Sequence, residues 1–480
     1  MRSKSIALCC LVGVLCVVIL LIACAGGGNG AAGAIQTSVP TPTPTPTPTP
    51  APVSAGQWTW VGGSNSVSLS PYGVSGSYGT LDVPAAGNLP GSHYDSAGWT
   101  GAGNFWLFGG SVGCQYCGLF AINDLWEFSP TSRMWTWMGG GETPDEFGFN
   151  YPSARYGPAS WKDNNGNFWL LGGMGMIVNG DTLLNDLWEY SPATGTWMFV
   201  SGGTTVSGTV GVYGTEGVPS TTNVPGGRQY PTGWADASGN FWIFGGDIWG
   251  SSSISSPMND LWEFSPSAKT WAWMSGSNTE DATGTYGTQG VPSTTNTPGA
   301  RRGAFSWTDR AGNFWLFGGL AIVDSTQYFF NDLWKFNPTD KTWTWMSGSN
   351  TTNASGNYGT RGVPSMTNVP QARAHGSSGI DPSGNLWLFG GSSAAGVLND
   401  VWMFNPSTET WTWVSGADTA DETANYGALG ISSSSNIPGA RWGSTGWIDD
   451  SGNFWLFGGY GCDSTSTNFG MLNDLWVWHP

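Results

Sequence analysis

Histidine is nearly missing from this chain. There are three in 480 residues, His93, His375 and His479. Thiols are scarce as well, and four of the seven cysteines (Cys9, Cys10, Cys16, Cys24) fall within the first 24 residues. With so few imidazoles and thiols, the sequence assembles no zinc spacing and no catalytic triad, and no phosphate loop is present. Cys114-x-x-Cys117 has no second such pair to complete a zinc site. Charge is also thin, at 10% of residues, and lopsided, with 15 Lys+Arg against 32 Asp+Glu. No basic cluster tracks a phosphate backbone, so nucleic acid is excluded as a partner. No metal and no cofactor are expected. Sustained helical spacing is absent beyond the N-terminal segment, which leaves strands as the building material.

The one long apolar run lies at the start. Arg2 and Lys4 precede Ile6–Ala23, the order of an export signal. The run closes on "LIAC", and Cys24 sits where the lipid-bearing cysteine of a bacterial lipoprotein belongs. Residues 1–23 are therefore expected to be a signal, and Cys24 a membrane anchor at an outer membrane or cell surface. Residues 24–56 read as a stalk. A Gly/Ala-rich stretch leads into "PTPTPTPTPTPAP", whose alternating prolines favour polyproline II. Without Arg2 and Lys4, 13 basic residues face 32 acidic ones, a net charge of −19. An acidic surface keeps an exported protein in solution.

From Gln57 onward the chain repeats. NFWLFGG and its variants end at Gly110, Gly173, Gly246, Gly319, Gly391 and Gly459, at spacings of 63, 73, 73, 72 and 68 residues. Each unit keeps one order: a step such as "GW", a turn such as "DDSGN", FWLFGG, a variable loop, NDLW-x-F-S/N-P, then TWTWM. Runs of four to six Trp-, Phe-, Leu- and Thr-rich residues between turn residues read as strands. Each unit is a four-stranded antiparallel meander, and six such units bury their faces by stacking radially as a propeller. The sixth NDLW, at Asn473, has no TWTW after it, whereas "QWTWVGG" at Gln57–Gly63 has no unit before it. That N-terminal run is expected to supply the outer strand of blade six.

The double glycine, and the aromatic-to-Trp spacing that follows it (Phe128 to Trp135, Phe264 to Trp271, Phe404 to Trp411), resemble the kelch repeat. The resemblance spans residues 57–480 and implies an all-β, six-bladed kelch propeller. The repeats exceed the usual kelch length of about 50 residues.

Of the 31 tryptophans, all but Trp249 and Trp442 occupy recurrent strand positions. The aromatic excess is thus core and inter-blade packing. Trp249, in a two–three loop, and Trp442 stand as ligand candidates. Arg155, Arg228, Arg301, Arg373 and Arg441 share one repeat position before strand one, and His93 takes it in blade one. Six such positions form a ring at one channel mouth. The ring reads either as a receptor for an anionic ligand or as clamps on the Asp of each NDLW.

The two–three and four–one loops are expected to share the face of that ring. The four–one loops are alike ("YGTEGVPSTTNVPGGR" from Tyr213) and read as a structural collar. The two–three loops differ in every blade and are expected to carry specificity. Among the cysteines, a bond from Cys462 to Cys114 or Cys117 would clasp blades six and one. The alternative is Cys114–Cys117.

The expected function is binding of a protein or polysaccharide by a monomer, without catalysis. Copper radical oxidases resemble this architecture but need two histidines and tyrosines around the metal. Periplasmic sialic-acid mutarotases resemble the six-blade ring, and a sugar-acid enzyme of that kind is the alternative. The sequence offers no singular Glu or His in the channel as its acid or base.

Overall fold

The computed structural model describes residues 56–67, 73–112, 120–141, 150–177, 180–203, 211–249, 255–465 and 469–480. Cys24, Cys114, Cys117 and the tips of several two–three loops lie outside them. The described residues are all-β, with no helix, and form six antiparallel blades arranged as a propeller. Blade one runs Ala97–Gly101, Asn104–Ser111, Ala121–Ser129 and Met134–Gly139 from the axis outward. Blades two to five repeat this order around Phe168–Ile177, Phe241–Ile248, Phe314–Phe317 and Leu386–Ser393 as second strands. In blade four the second strand gives way to a separate hairpin, Leu320–Val323 with Thr326–Phe329.

Blade six closes the ring. Thr445–Ile448, Phe454–Cys462 and Phe469–His479 are joined by Gln57–Gly62, which pairs Trp58 with Trp478 and Trp60 with Trp476. Trp58 is fully buried and meets Phe389 of blade five edge-on at 5.7 Å, as Trp411 meets Phe317 of blade four at 5.1 Å. Trp60 donates from Nε1 to Gly62 O at 2.7 Å, and Trp413 donates to Ser415 O at 2.8 Å. The N-terminal strand therefore repeats the contacts of the outer strand of blade five.

The hydrophobic core is divided rather than single, and among the described residues its six largest clusters each span a pair of neighbouring blades, including six against one. The strand-one tryptophans drive this. Trp99 stacks on Phe168 of the next blade at 5.2 Å, Trp161 on Phe241 at 5.1 Å, Trp234 on Phe314 at 5.4 Å and Trp447 on Phe105 at 5.3 Å. Aromatic pairs of this kind add about 0.5–1.5 kcal/mol beyond area burial.

The double glycine explains why blades approach so closely. In blades one, two, three, five and six it faces a bulge in strand three, where the Asn and Asp of NDLW oppose its first glycine and the register slips by one residue. Its first glycine has φ near +63°. A Cβ on Gly109 would lie 2.8 Å from the carbonyl oxygen of Arg155 in the next blade, and one on Gly245 would lie 2.6 Å from that of Arg301. Any side chain here would hold adjacent blades apart.

Candidate functional site

The arginine ring is built as the clamp reading requires. Each of Arg155, Arg228, Arg301, Arg373 and Arg441 is at most 1% exposed and binds the NDLW aspartate of its own blade through both terminal nitrogens. The partners are Asp186, Asp260, Asp332, Asp400 and Asp474, at 2.5–2.8 Å. Each Nη1 also donates to the first glycine of its own double glycine, and each Nε to a carbonyl two residues back. The backbone works across the seam: Arg228 O accepts from Gly173 N of the preceding blade, and Arg301 O accepts from Gly246 N.

The five guanidinium groups are thus internal fasteners, and the expectation of an anion receptor at these positions does not hold. The sugar-acid alternative needed a free guanidinium at the same place and loses its support with it. In blade one, His93 lies 3.6 Å from Asp124, and among the described residues neither ring nitrogen has a hydrogen-bond partner. Burial lowers the His93 pKa against the pull of Asp124.

Two residues beyond the ring, the chain does something the sequence reading did not foresee. Asp95, Gly157, Tyr230, Gly303, His375 and Gly443 all have φ between +54° and +66°. Their backbones join head to tail around the axis. Gly157 N donates to Asp95 O at 2.8 Å, Tyr230 N to Gly157 O at 2.7 Å and Gly303 N to Tyr230 O at 3.1 Å. His375 N donates to Gly303 O at 2.9 Å, Gly443 N to His375 O at 2.7 Å, and Asp95 N to Gly443 O at 2.7 Å closes the circle. Left-handed φ is uncommon for Asp, Tyr and His, and such backbone concentrates at functional sites.

Large residues alternate with glycine for a steric reason. A Cβ on Gly157 would sit 2.6 Å from the Tyr230 ring, one on Gly303 2.6 Å from the His375 ring and one on Gly443 2.8 Å from the Asp95 carboxylate. Each large side chain occupies the space over the preceding glycine, so three fit and six would not.

Those three side chains meet. Tyr230 donates its hydroxyl to Asp95 Oδ2 at 2.8 Å, and its ring meets His375 edge-on at 4.5 Å. The Arg302 guanidinium, held by Asp247 and the Ser255 hydroxyl, lies 5.5 Å over the Tyr230 ring. Burial pushes the Asp95 carboxyl up to about 7, against the Tyr230 bond and Arg302. Burial, then Arg302, pushes His375 down to about 3, so its imidazole is neutral at physiological pH. The channel therefore does hold a singular histidine and a singular acid, contrary to the sequence expectation. The signal was present as the alternation Asp/Gly/Tyr/Gly/His/Gly two residues past the arginine ring.

Beside this trio, a cavity of about 180 Å³ takes lining from all six blades. Half-buried Trp442 completes an aromatic wall with Tyr94 at 5.1 Å, Tyr460 at 5.7 Å and His375 at 6.1 Å. Trp249 stands apart at the end of its strand, 40% exposed.

A second cavity, of about 370 Å³, lies between blades three and four. Its walls are the blade-four hairpin (Ala321, Val323, Tyr328), Phe330, and the connection that follows blade three, with Asp281 among the lining groups. Two–three and four–one segments therefore share a face here, as antiparallel geometry requires. Burial, then Glu280, Asp247 and Asp324, raises the Asp281 pKa.

Cys462 is a free, buried thiol that donates to Asp421 O at 3.5 Å. Its sulfur is turned toward the connection entering blade six from blade five. Its two expected partners lie outside the described residues.

Residues 383–415, strands two to four of blade five, match the Kelch motif family model. No curated protein matches the chain. One blade that fits the motif, and five more with the same antiparallel strand order and double glycine, support a kelch-repeat propeller.

Proposed function

We propose that the protein is a lipid-anchored, extracytoplasmic binding module that takes a polysaccharide or protein ligand on the face carrying the two–three and four–one loops. A kelch propeller fits a non-catalytic binding scaffold. The observation that carries the ligand reading is the 370 Å³ cavity, whose volume lies within the range of ligand pockets. Apolar walls with three half-buried aromatics, Tyr286, Tyr328 and Phe330, and one carboxyl, Asp281, suit the flat apolar face and hydroxyl edge of a sugar ring. The aromatic wall around Trp442 offers a second contact surface nearer the axis. Affinity electrophoresis against a panel of polysaccharides tests this. Tyr328→Ala should weaken retention at least tenfold while leaving the melting temperature within about 2 °C. Unchanged retention in both Tyr328→Ala and Trp442→Ala overturns the reading.

The anchor is proposed at Cys24, on the "LIAC" preceding residue 25. Cys24→Ser should shift the protein out of the membrane fraction or leave the signal unprocessed, as read by fractionation and intact mass. Unchanged attachment at unchanged mass overturns it.

A further inference from the structure

Among the described residues, five blades have their outermost strand covered, and blade two does not. The connection that enters each blade from the one before it first runs antiparallel along the new blade's fourth strand. Ala85 bridges Trp135, Ser220 bridges Trp271, Ser293 bridges Trp343, Ser365 bridges Trp411 and Ser433 bridges Trp58. Each cover is pinned by an asparagine whose side chain donates to that same tryptophan carbonyl at 3.0–3.1 Å: Asn88, Asn223, Asn296, Asn368 and Asn436. Ten residues earlier, a tyrosine donates its hydroxyl to the NDLW aspartate at 2.6–2.9 Å: Tyr78, Tyr213, Tyr286, Tyr358 and Tyr426.

The connection into blade two is shorter than the others. Between Gly139 and Arg155 lie 15 residues, against 25 to 30 in the other five junctions. The consequences converge on one place. Asn150, which aligns with the pinning asparagines, is exposed. Met198 and Phe199 of the outer strand Thr196–Ser201 are 49% and 38% exposed. Asp186 receives no tyrosine hydroxyl among the described residues, and its side chain is 9% exposed where those of Asp260, Asp332, Asp400 and Asp474 are at 0%. Trp188 is 8% exposed, where its counterparts Trp126, Trp262, Trp334, Trp402 and Trp476 are at 0%. Among the described residues, nothing bonds the outward N–H and C=O of Trp197 or the outward C=O of Phe199. An open strand edge is a template for another strand.

We propose that the outer edge of blade two is a docking site for an extended segment of a partner protein, added antiparallel and bearing a tyrosine and an asparagine ten residues apart. The five internal covers define that chemistry. The segment's backbone pairs with Trp197, its asparagine donates to Trp197 O, and its tyrosine hydroxyl reaches Asp186.

The probe is a synthetic peptide of residues 212–225, VYGTEGVPSTTNVP, added to the full chain. Saturable binding is expected, with hydrogen-exchange protection appearing at the Trp197 amide. Replacing the peptide's tyrosine by phenylalanine, or its asparagine by alanine, should weaken binding at least fivefold. A full-length variant whose residues 140–154 are replaced by residues 276–300 would cover its own edge. It should melt no lower than the parent and lose peptide binding at least tenfold. Absence of binding to the parent chain overturns the proposal, as does equal binding to the self-covered variant. So does a parent dimer in sedimentation that the graft dissolves, since the occupant would then be a second copy of the chain.

Discussion

Arginine and histidine do unequal work at one repeat position. The five arginines deliver two charge-assisted bonds to a buried aspartate, a geometry that only a planar fork satisfies. His93 reaches Asp124 at 3.6 Å, and among the described residues one Asp124 oxygen has no hydrogen-bond partner. Burial raises the Asp124 pKa although His93, Trp126 and Tyr78 oppose it. His93→Arg should therefore complete the sixth clamp and stabilise the protein by about 1–2 kcal/mol, measured as a rise in chemical-denaturation midpoint. Asp95 gives a second expectation at this scale. Its folded-state value of about 7 exceeds the ordinary carboxylate value, so the folded protein holds this proton more tightly than the unfolded chain. That contribution to stability is complete below about pH 4 and fades as pH rises through 7. Asp95→Asn keeps an acceptor for Tyr230 and removes the titration. Its melting temperature relative to the parent should climb between pH 5 and pH 8, and a flat difference across that window would contradict the assignment.

Among the elements, Gln57–Gly62 has the largest consequence for its length. It covers the edge of Phe469–His479 and buries Trp58 among Phe389, Trp476 and Trp478. Deleting residues 57–62 leaves that edge open and removes a core tryptophan, worth about 3–5 kcal/mol alone. Circular dichroism melting should show a large fall or loss of the cooperative transition, while deleting residues 25–50 should leave the midpoint unchanged. This closure was legible because a missing run at one end and a surplus run at the other share the pattern W-T-W. The clamps were legible too, because Arg and Asp recur at fixed places in every unit. The covers were legible only in part. Their likeness announced shared packing, but that each lies along the outer strand of the blade it enters depends on pairings between residues some 50 positions apart. Blade two's bare edge is the reverse case, a feature written as ten fewer residues.

At the scale of the molecule, backbone symmetry and side-chain asymmetry separate. Clamps, bulges and stacked tryptophans repeat around the ring and set the architecture. The axial trio, the Trp442 wall and the blade-four hairpin each occur once, and they give the molecule its places of distinct chemistry. Periodicity in the sequence reveals the first class readily and conceals the second, since a residue that breaks a repeat looks like noise until the fold brings it beside others. Asp95, Tyr230 and His375 are separated by more than 130 residues in each step of sequence, yet their backbones belong to one circle of six hydrogen bonds. A hairpin or a helix frays because it has a last bond, whose loss exposes the next. This circle has no last bond. Breaking any one of its six links leaves the two freed groups held between intact neighbours on both sides, so the centre of the molecule has no end from which to unravel, and loss of structure has to begin at the rim.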